Sequence, residues 1–295
     1  MRSTFEIGGR PIGRMGFGAM QLPGPGVFGP PRDRGEAIAI LRRAVALGVD
    51  HIDTAQYYGP DVANELIREA LRPYPDGLRI ATKVGGARGT DGSWFAALRP
   101  EELRAGVEDN LRSLGLDRLF LVNLRLVHRH RPDVPLEEMV GELAGLRTRG
   151  LVELIGLSNV GLDELRAAEE VTPIACVQNN FGLLNRESRP VLDACREAGL
   201  AFVPFFPLGS AFPRDPEGGS ELGGPARLGR EGAVARVAEK HGATVPQVAL
   251  AWLLQVAPNV LVIPGTSSMP HLEENVAAAD LRLDEGDIAA LDALA

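Results

Sequence analysis

The chain is short of aromatic side chains: three tyrosines, two tryptophans and ten phenylalanines make up 5% of 295 residues. No cluster of Lys or Arg alternates with them, and 31 basic residues against 39 acidic leave a formal charge of -8. That balance excludes an electrostatic footprint for nucleic acid or an anionic membrane surface. No apolar run reaches the roughly 20 residues of a membrane span. The opening MRSTFEIGGR has no apolar centre of a secretory signal, so a cytoplasmic location is expected. Cysteine is nearly absent too: Cys176 and Cys195 come without a CxxC pair or a neighbouring histidine pair. A disulfide framework and a zinc site are thereby excluded, and buried free thiols are expected. His128 and His130, in LVHRHRPD, stand in a charged segment with no second ligand pair, so no metal is expected there either.

What the chain does have is loops and rhythm. It carries 35 Gly and 22 Pro, and hydrophobic residues make up 45%. After STFEIGGRPIGRM, which reads as a hairpin around Gly8 and Gly9, short runs of Val, Ile and Leu alternate with longer segments whose apolar residues fall three or four apart. The alternation recurs about eight times, as a parallel sheet with crossover helices requires. Strands are expected at 15–18, 51–53, 78–83, 119–124, 154–158, 175–178, 201–204 and 260–263. Leu103, Val107, Leu111 and Leu114 mark one helix face, and Leu136, Met139, Val140, Leu143 and Leu146 mark another that stops before Gly150. Residues 84–100 and 205–232 are Gly- and Pro-rich and break the rhythm, so both are expected to be long strand-end loops. With no linker and no other repeat, residues 1–295 read as one α/β domain, a (β/α)8 barrel with an N-terminal hairpin.

Such a barrel carries its chemistry at the C-terminal ends of its strands. Those ends read Asp53, Lys83, Asn123, Ser158 and Asn159, Gln178, Phe205, then Pro264 and Gly265. Each has a bland alternative: Asp53 can cap a turn, Lys83 can end a strand in solvent, and either Tyr57 or Tyr58 can be wall packing. The pattern DTAxxYG before a helix is more specific, because it sends Asp, Tyr and Lys from consecutive βα units to one place. A phenol titrates near 10, and an adjacent ammonium lowers that value while a carboxylate keeps the ammonium charged. Asp53, Lys83 and Tyr58 thus read as a tuned proton donor. Two rival motifs fail. GFGAMQ has Gln21 where a dinucleotide fingerprint needs its third glycine, and GLSNVG is one residue too long for a nucleophile elbow.

MGFGAM, DTAQYYG, TKVGG, GLSNV, VQNNF, FPLGS and IPGTSSMPHLEEN, in that order, resemble the aldo-keto reductases over nearly the whole chain. The likeness implies a (β/α)8 barrel that reduces carbonyls with NADPH, with Asp53, Tyr58 and Lys83 as three of four catalytic positions and Tyr57 as a wall residue. The family usually has histidine at the fourth position; LFLVN ends in Asn123, which is expected to orient the carbonyl without titrating. VNLR, QNNFGLLNR and PFFPLG are similar to a bacterial branch of pyridoxal reductases. The same resemblance implies that Gly18 and Asp53 border the cofactor and that Ser158, Asn159 and Gln178 bind the nicotinamide amide. It further implies that Phe205 stacks on the ring and that Leu208 and Ser210 meet the pyrophosphate. Gly265, Thr266, Ser267, Ser268, His271, Glu274 and Asn275 would hold the adenosine end. Gly265 and His271 stand where relatives have Lys and Arg, so NADH is admitted beside NADPH. Trp94, with Phe95, is expected to wall the substrate. The alternative from another class is a nucleotide-sensing auxiliary subunit that turns over slowly.

Overall fold

The computed structural model describes residues 3–127, 134–209 and 228–294. It opens with the antiparallel hairpin β1 (Thr4–Ile7) and β2 (Arg10–Gly13). Then come β3 (Phe17–Gly18), β4 (His51–Asp53) and β5 (Arg79–Val84), a second hairpin of β6 (Gly86–Arg88) and β7 (Trp94–Ala96), and β8 (Leu119–Arg125). The strands end with β9 (Val152–Ser158), β10 (Cys176–Gln178) and β11 (Ala201–Phe202). Seven of them form one parallel sheet in the order β3, β4, β5, β8, β9, β10, β11.

Residues 260–262 close that sheet on itself. Phe202 bridges to Val260 and Met15 to Val262, both in parallel. The Val262 N–H donates to the Arg14 carbonyl at 2.9 Å, and the Gly16 N–H donates to the Val262 carbonyl at 2.8 Å. Arg14 secures the seam: its buried guanidinium donates to the carbonyls of Leu254, Ala257 and Val260 at 2.5, 2.7 and 2.8 Å. With helices between the strands, the architecture is the expected (β/α)8 barrel.

Side-chain alternation divides the core in two. Ile7 and Ile12 of the first hairpin pack with Leu121, Cys176, Ala201, Val203, Leu261 and Ile263 inside the barrel, so the hairpin plugs its N-terminal end. Val122 and Leu124, the other face of β8, join the outer layer beneath the helices. In that layer Leu103, Val107 and Leu114 of the Pro100–Leu114 helix are fully buried, as are Met139, Val140, Leu143 and Leu146 of the Leu136–Thr148 helix. Strand ends shift by one or two residues in several places, and two differences bear on the site. Residues 84–100 hold the β6–β7 hairpin instead of an irregular loop, and β8 runs on to Arg125, one residue past the expected end. His128, His130 and Ser210 lie outside the described residues, as does most of 205–232. Among the described residues no helix is long and apolar enough to cross a membrane.

Candidate active site

Asp53 ends β4 and Lys83 stands one residue before the end of β5, its neighbour in the sheet. The Lys83 ammonium donates to Asp53 Oδ1 and, at 3.0 Å, to the Thr54 carbonyl. Asp53 Oδ2 accepts from Gln178 Nε2 at 2.8 Å, a bond across the barrel from β10. Both charges are almost completely buried, so the ion pair and its hydrogen bonds replace the water each group has lost.

A polar cluster supports this pair from behind. Thr54 donates to Asn64 Oδ1 at 2.8 Å and Thr82 to Asn110 Oδ1 at 2.6 Å. Asn64 Nδ2 in turn donates to Asn110 and to Ser113, both at 2.9 Å. Thr54 follows Asp53 and Thr82 precedes Lys83, so this network fixes the backbone on either side of the ion pair.

Tyr58 comes from the turn between β4 and the helix Val62–Leu71. The next residue, Gly59, has φ +106°, and a Cβ there would sit 2.4 Å from Val62 Cβ. The last letter of DTAxxYG therefore has to be glycine. Lys83 Nζ lies over the Tyr58 ring, 5.1 Å from its centroid, and Tyr57 packs edge-on against the same ring at 5.4 Å. Burial pushes the Tyr58 phenol above its ordinary value, the Asp53 charge pushes the same way, and Arg125 opposes them. The expectation of a lowered phenol is thus reversed in the protein without its cofactor. Lys83 spends its charge on Asp53, while desolvation acts on the phenol directly. Tyr58 is consequently a neutral phenol throughout the physiological range.

Two depressions meet at this phenol. A groove of about 420 Å³ is lined by Gly18, Asp53, Gln178, Phe205, Leu208, Gly265, Thr266, Ser267, His271, Glu274 and Asn275, all expected cofactor positions. A second cavity, of about 200 Å³, has walls of Tyr57, Trp94, Phe95, Arg125, Leu126 and Asn159. Tyr58, Gln178, Phe205, Phe206 and Met20 border both. Trp94 and Phe95, carried by β7, are the expected substrate wall, and Trp94 packs edge-on to Tyr57 at 5.8 Å.

The groove suits a nicotinamide dinucleotide. Gln178 Oε1 is buried with no partner, an acceptor waiting for an amide N–H. At the far end Thr266 and Ser267 precede the helix Met269–Ala277, whose N-terminus favours a phosphate. Three expected positions depart from this arrangement. Ser158 is buried and accepts from Arg125 Nη1 at 3.1 Å. Asn159 donates to the Leu126 carbonyl at 2.8 Å and lines the cavity, not the groove. Ser268 is the N-cap of the last-named helix and lies off the groove wall.

Asn123, in register with Lys83 in the sheet, stands below the cavity. Its side chain points into the barrel, where it borders a void of about 20 Å³ that Asp53 and Gln178 also line, together with Ile7, Ile12, Leu121 and Cys176. Neither amide atom has a partner, and Asn123 does not line the cavity that Tyr58 faces. The inward positions of β8 are Leu121, Asn123 and Arg125, so Arg125 is the one at the rim. Its guanidinium lies 4.8 Å from the centroid of the Phe205 ring. Gly85 permits this approach of β8, since a Cβ there would lie 2.4 Å from the Arg125 carbonyl oxygen. Period-two counting along LFLVNLR could have found Arg125. Lysine usage could have singled out Lys83, because the chain has just two lysines, the other being Lys240.

Comparison with known proteins agrees with this geometry. Residues 14–295 match the model of the aldo/keto reductase family. The chain is 48% identical to pyridoxine 4-dehydrogenase of Escherichia coli, over 99% of this chain and 98% of that one. It is 39% identical to an uncharacterized oxidoreductase of Schizosaccharomyces pombe, over 98% and 89%. Among solved structures, a thermostable aldo-keto reductase in complex with the inhibitor epalrestat superposes with TM-score 0.80 at 30% identity, covering 99% of both chains. An aldo-keto reductase from Klebsiella pneumoniae in complex with NADPH gives 0.79 at 25% identity, over 100% and 95%. The chain belongs to the aldo/keto reductase family.

Proposed function

We propose that this protein is an NADP(H)-dependent oxidoreductase that interconverts an aldehyde or ketone with its alcohol, pyridoxal and pyridoxine being the substrate pair. The observation that carries the reading is the position of Tyr58, a neutral phenol bordering both the dinucleotide groove and the aromatic cavity. The unpartnered Gln178 Oε1 in the groove and the 48% identity to a pyridoxine 4-dehydrogenase support it. Residues 1–295 act as one domain on this reading, and two free, buried thiols suit a reducing cytoplasm.

NADPH, when bound along the groove, supplies the hydride. The chain's own residues do the rest. Tyr58 gives its proton to the carbonyl oxygen as negative charge develops there, and because an alkoxide is a far stronger base than a phenolate, the transfer runs downhill even from a raised phenol. Lys83, over the Tyr58 ring, stabilises the phenolate left behind, and Asp53 keeps that ammonium charged. Arg125 borders the substrate cavity at the rim. Gln178 and Phe205 hold the nicotinamide end, and Leu208 lies farther along the groove. One hydride and one proton are added across C=O, and Tyr58 recovers its proton from water once the alcohol leaves.

The test is steady-state oxidation of NADPH, with NADH in parallel, against pyridoxal and simple aromatic aldehydes. Many turnovers per chain are expected. A single slow oxidation event per chain would overturn the reading in favour of a nucleotide-sensing subunit.

A further inference from the structure

We propose that Arg125 selects carbonyl substrates that carry an ionised oxygen beside the reacting carbon, as an aromatic aldehyde with an ortho phenolate does. The inference rests on the carbonyl-reductase reading above and names the substrate class of the same site.

The charge of the cavity is the starting point. Two cations, Lys83 and Arg125, border it, and no carboxylate does among the described residues. Lys83 is neutralised by Asp53. Arg125 makes no ion pair among the described residues; one N–H reaches Ser158 Oγ at 3.1 Å, leaving most of its five donors unassigned. Among the described residues, the cavity thus holds one positive charge with no carboxylate partner.

Its surroundings define the ligand further. The guanidinium carbon lies over the Phe205 ring, an aromatic face that limits its hydration. Tyr57, Trp94 and Phe95 add aromatic faces to a wall that also holds the amides of Asn159 and Asn180, and about 200 Å³ accommodates a single substituted ring rather than a large substrate. A cation with spare donors beside aromatic faces suits a flat aromatic anion whose oxygen accepts a charge-assisted hydrogen bond. Phe205 and Tyr58 both border the cofactor groove as well, so Arg125 lies beside the place where the carbonyl is reduced, and the oxygen it binds must be close to that carbon. Pyridoxal belongs to this class, its ring oxygen standing next to the aldehyde. An unsubstituted aldehyde leaves the guanidinium without its anion, and a site built for a polar group discriminates strongly against a substrate lacking it.

The experiment compares 2-hydroxybenzaldehyde with 2-methoxybenzaldehyde, and pyridoxal with its 3-O-methyl ether, using NADPH and the full-length chain. In the wild type, kcat/KM for the ionisable member is expected to exceed that of its methyl ether by about 10-fold or more, the scale of one hydrogen bond to a charged group. It should also rise as pH passes through the substrate's own phenol ionisation, while the ether stays flat. Arg125→Met should bring the ratio close to one, and Arg125→Lys should keep part of it. Because the ratio is internal to each variant, a loss of folded protein does not alter it, and the wild-type pH profile tests the inference with no variant at all.

A wild type that reduces both members equally, without the pH rise, overturns the role of Arg125 alone. So does an Arg125→Met variant that slows both members by one factor, which would mean that the guanidinium serves the shared carbonyl or merely supports Phe205. A wild type that reduces none of these aldehydes overturns the carbonyl-reductase reading itself.

Discussion

Replacing Lys83 by methionine strips the cation from a carboxylate that has almost no water around it. The Asp53 side chain is 6% exposed, and after the substitution it keeps the amide bond from Gln178. Breaking a buried ion pair from one side costs about 3–5 kcal/mol. The cost has a ceiling, because the stranded carboxyl can take up a proton. Free carboxyl groups ionise near pH 4, so at about 1.36 kcal/mol per pH unit that escape costs about 4 kcal/mol at pH 7 and about 1.5 kcal/mol at pH 5. Urea unfolding of Lys83→Met is therefore expected to show a deficit of about 3–4 kcal/mol at pH 7 that shrinks to about 1–2 kcal/mol at pH 5. The sign follows from linkage: an unpaired buried carboxylate binds its proton more tightly when folded, so the variant gains on the wild type as pH falls. Adding Asp53→Asn removes the stranded charge but keeps an acceptor for Gln178, and it should restore most of the loss at pH 7. A deficit that does not change with pH, or a double variant no more stable than the single one, would refute the view of this pair as two desolvated charges that need each other.

Tyr58→Phe should abolish most carbonyl reduction while NADPH still quenches tryptophan fluorescence on binding; full turnover would remove the proton-donor role. Because the phenol is raised, wild-type reduction of an aldehyde with no ionisable group should stay level through neutral pH and decline only above the ordinary phenol value near 10, and a fall between pH 6 and 8 would contradict this. Asn123→Leu discards two unpartnered amide atoms and should leave stability equal or higher and reduction nearly intact; collapse of kcat would return Asn123 to the site. Asn110→Ala deprives Thr82 and Asn64 of an acceptor and should cost about 2–4 kcal/mol in a denaturant titration, with kcat lowered as the ion pair loosens. For Asp287, burial pushes the carboxyl up, but hydrogen bonds from Lys240, His241 and the Asp284 N–H outweigh it and hold the group well below the usual range. The contribution is present above the ordinary carboxylate value and lost as pH falls through the folded one. The stability gap between wild type and Asp287→Asn should accordingly be open at pH 7 and narrow below about pH 4, and a gap that widens in acid would reverse that assignment.

The readable parts of the sequence are those governed by local periodicity and by turn chemistry. The strand at 51–53 and the stripes Leu103, Val107, Leu114 and Leu136 to Leu146 coincide with the structure, because alternation and three-to-four spacing follow directly from strand and helix geometry. DTAxxYG is equally local: the tight turn that turns Tyr58 toward Lys83 needs Gly59. The β6–β7 hairpin was hidden, because its glycines and TDGS turn look like loop composition until Arg88 lies 3.9 Å over the Trp94 ring. Asn123 and Arg125 were confused for a related reason. Both are inward, polar and near a strand end, and only the distance β8 travels before leaving the sheet decides which one reaches the rim.

The sequence by itself determined the barrel, the hairpin that plugs it and the trio of Asp53, Tyr58 and Lys83, since these depend on patterns within a few residues of one another. Only the tertiary structure decided the protonation state of Tyr58 and the partner that Gln178 lends to Asp53 from across the barrel. It alone placed Arg125 on the cavity wall, where no carboxylate stands among the described residues. Desolvation and charge balance are sums over neighbours brought together from distant parts of the chain, and no local window of residues contains them.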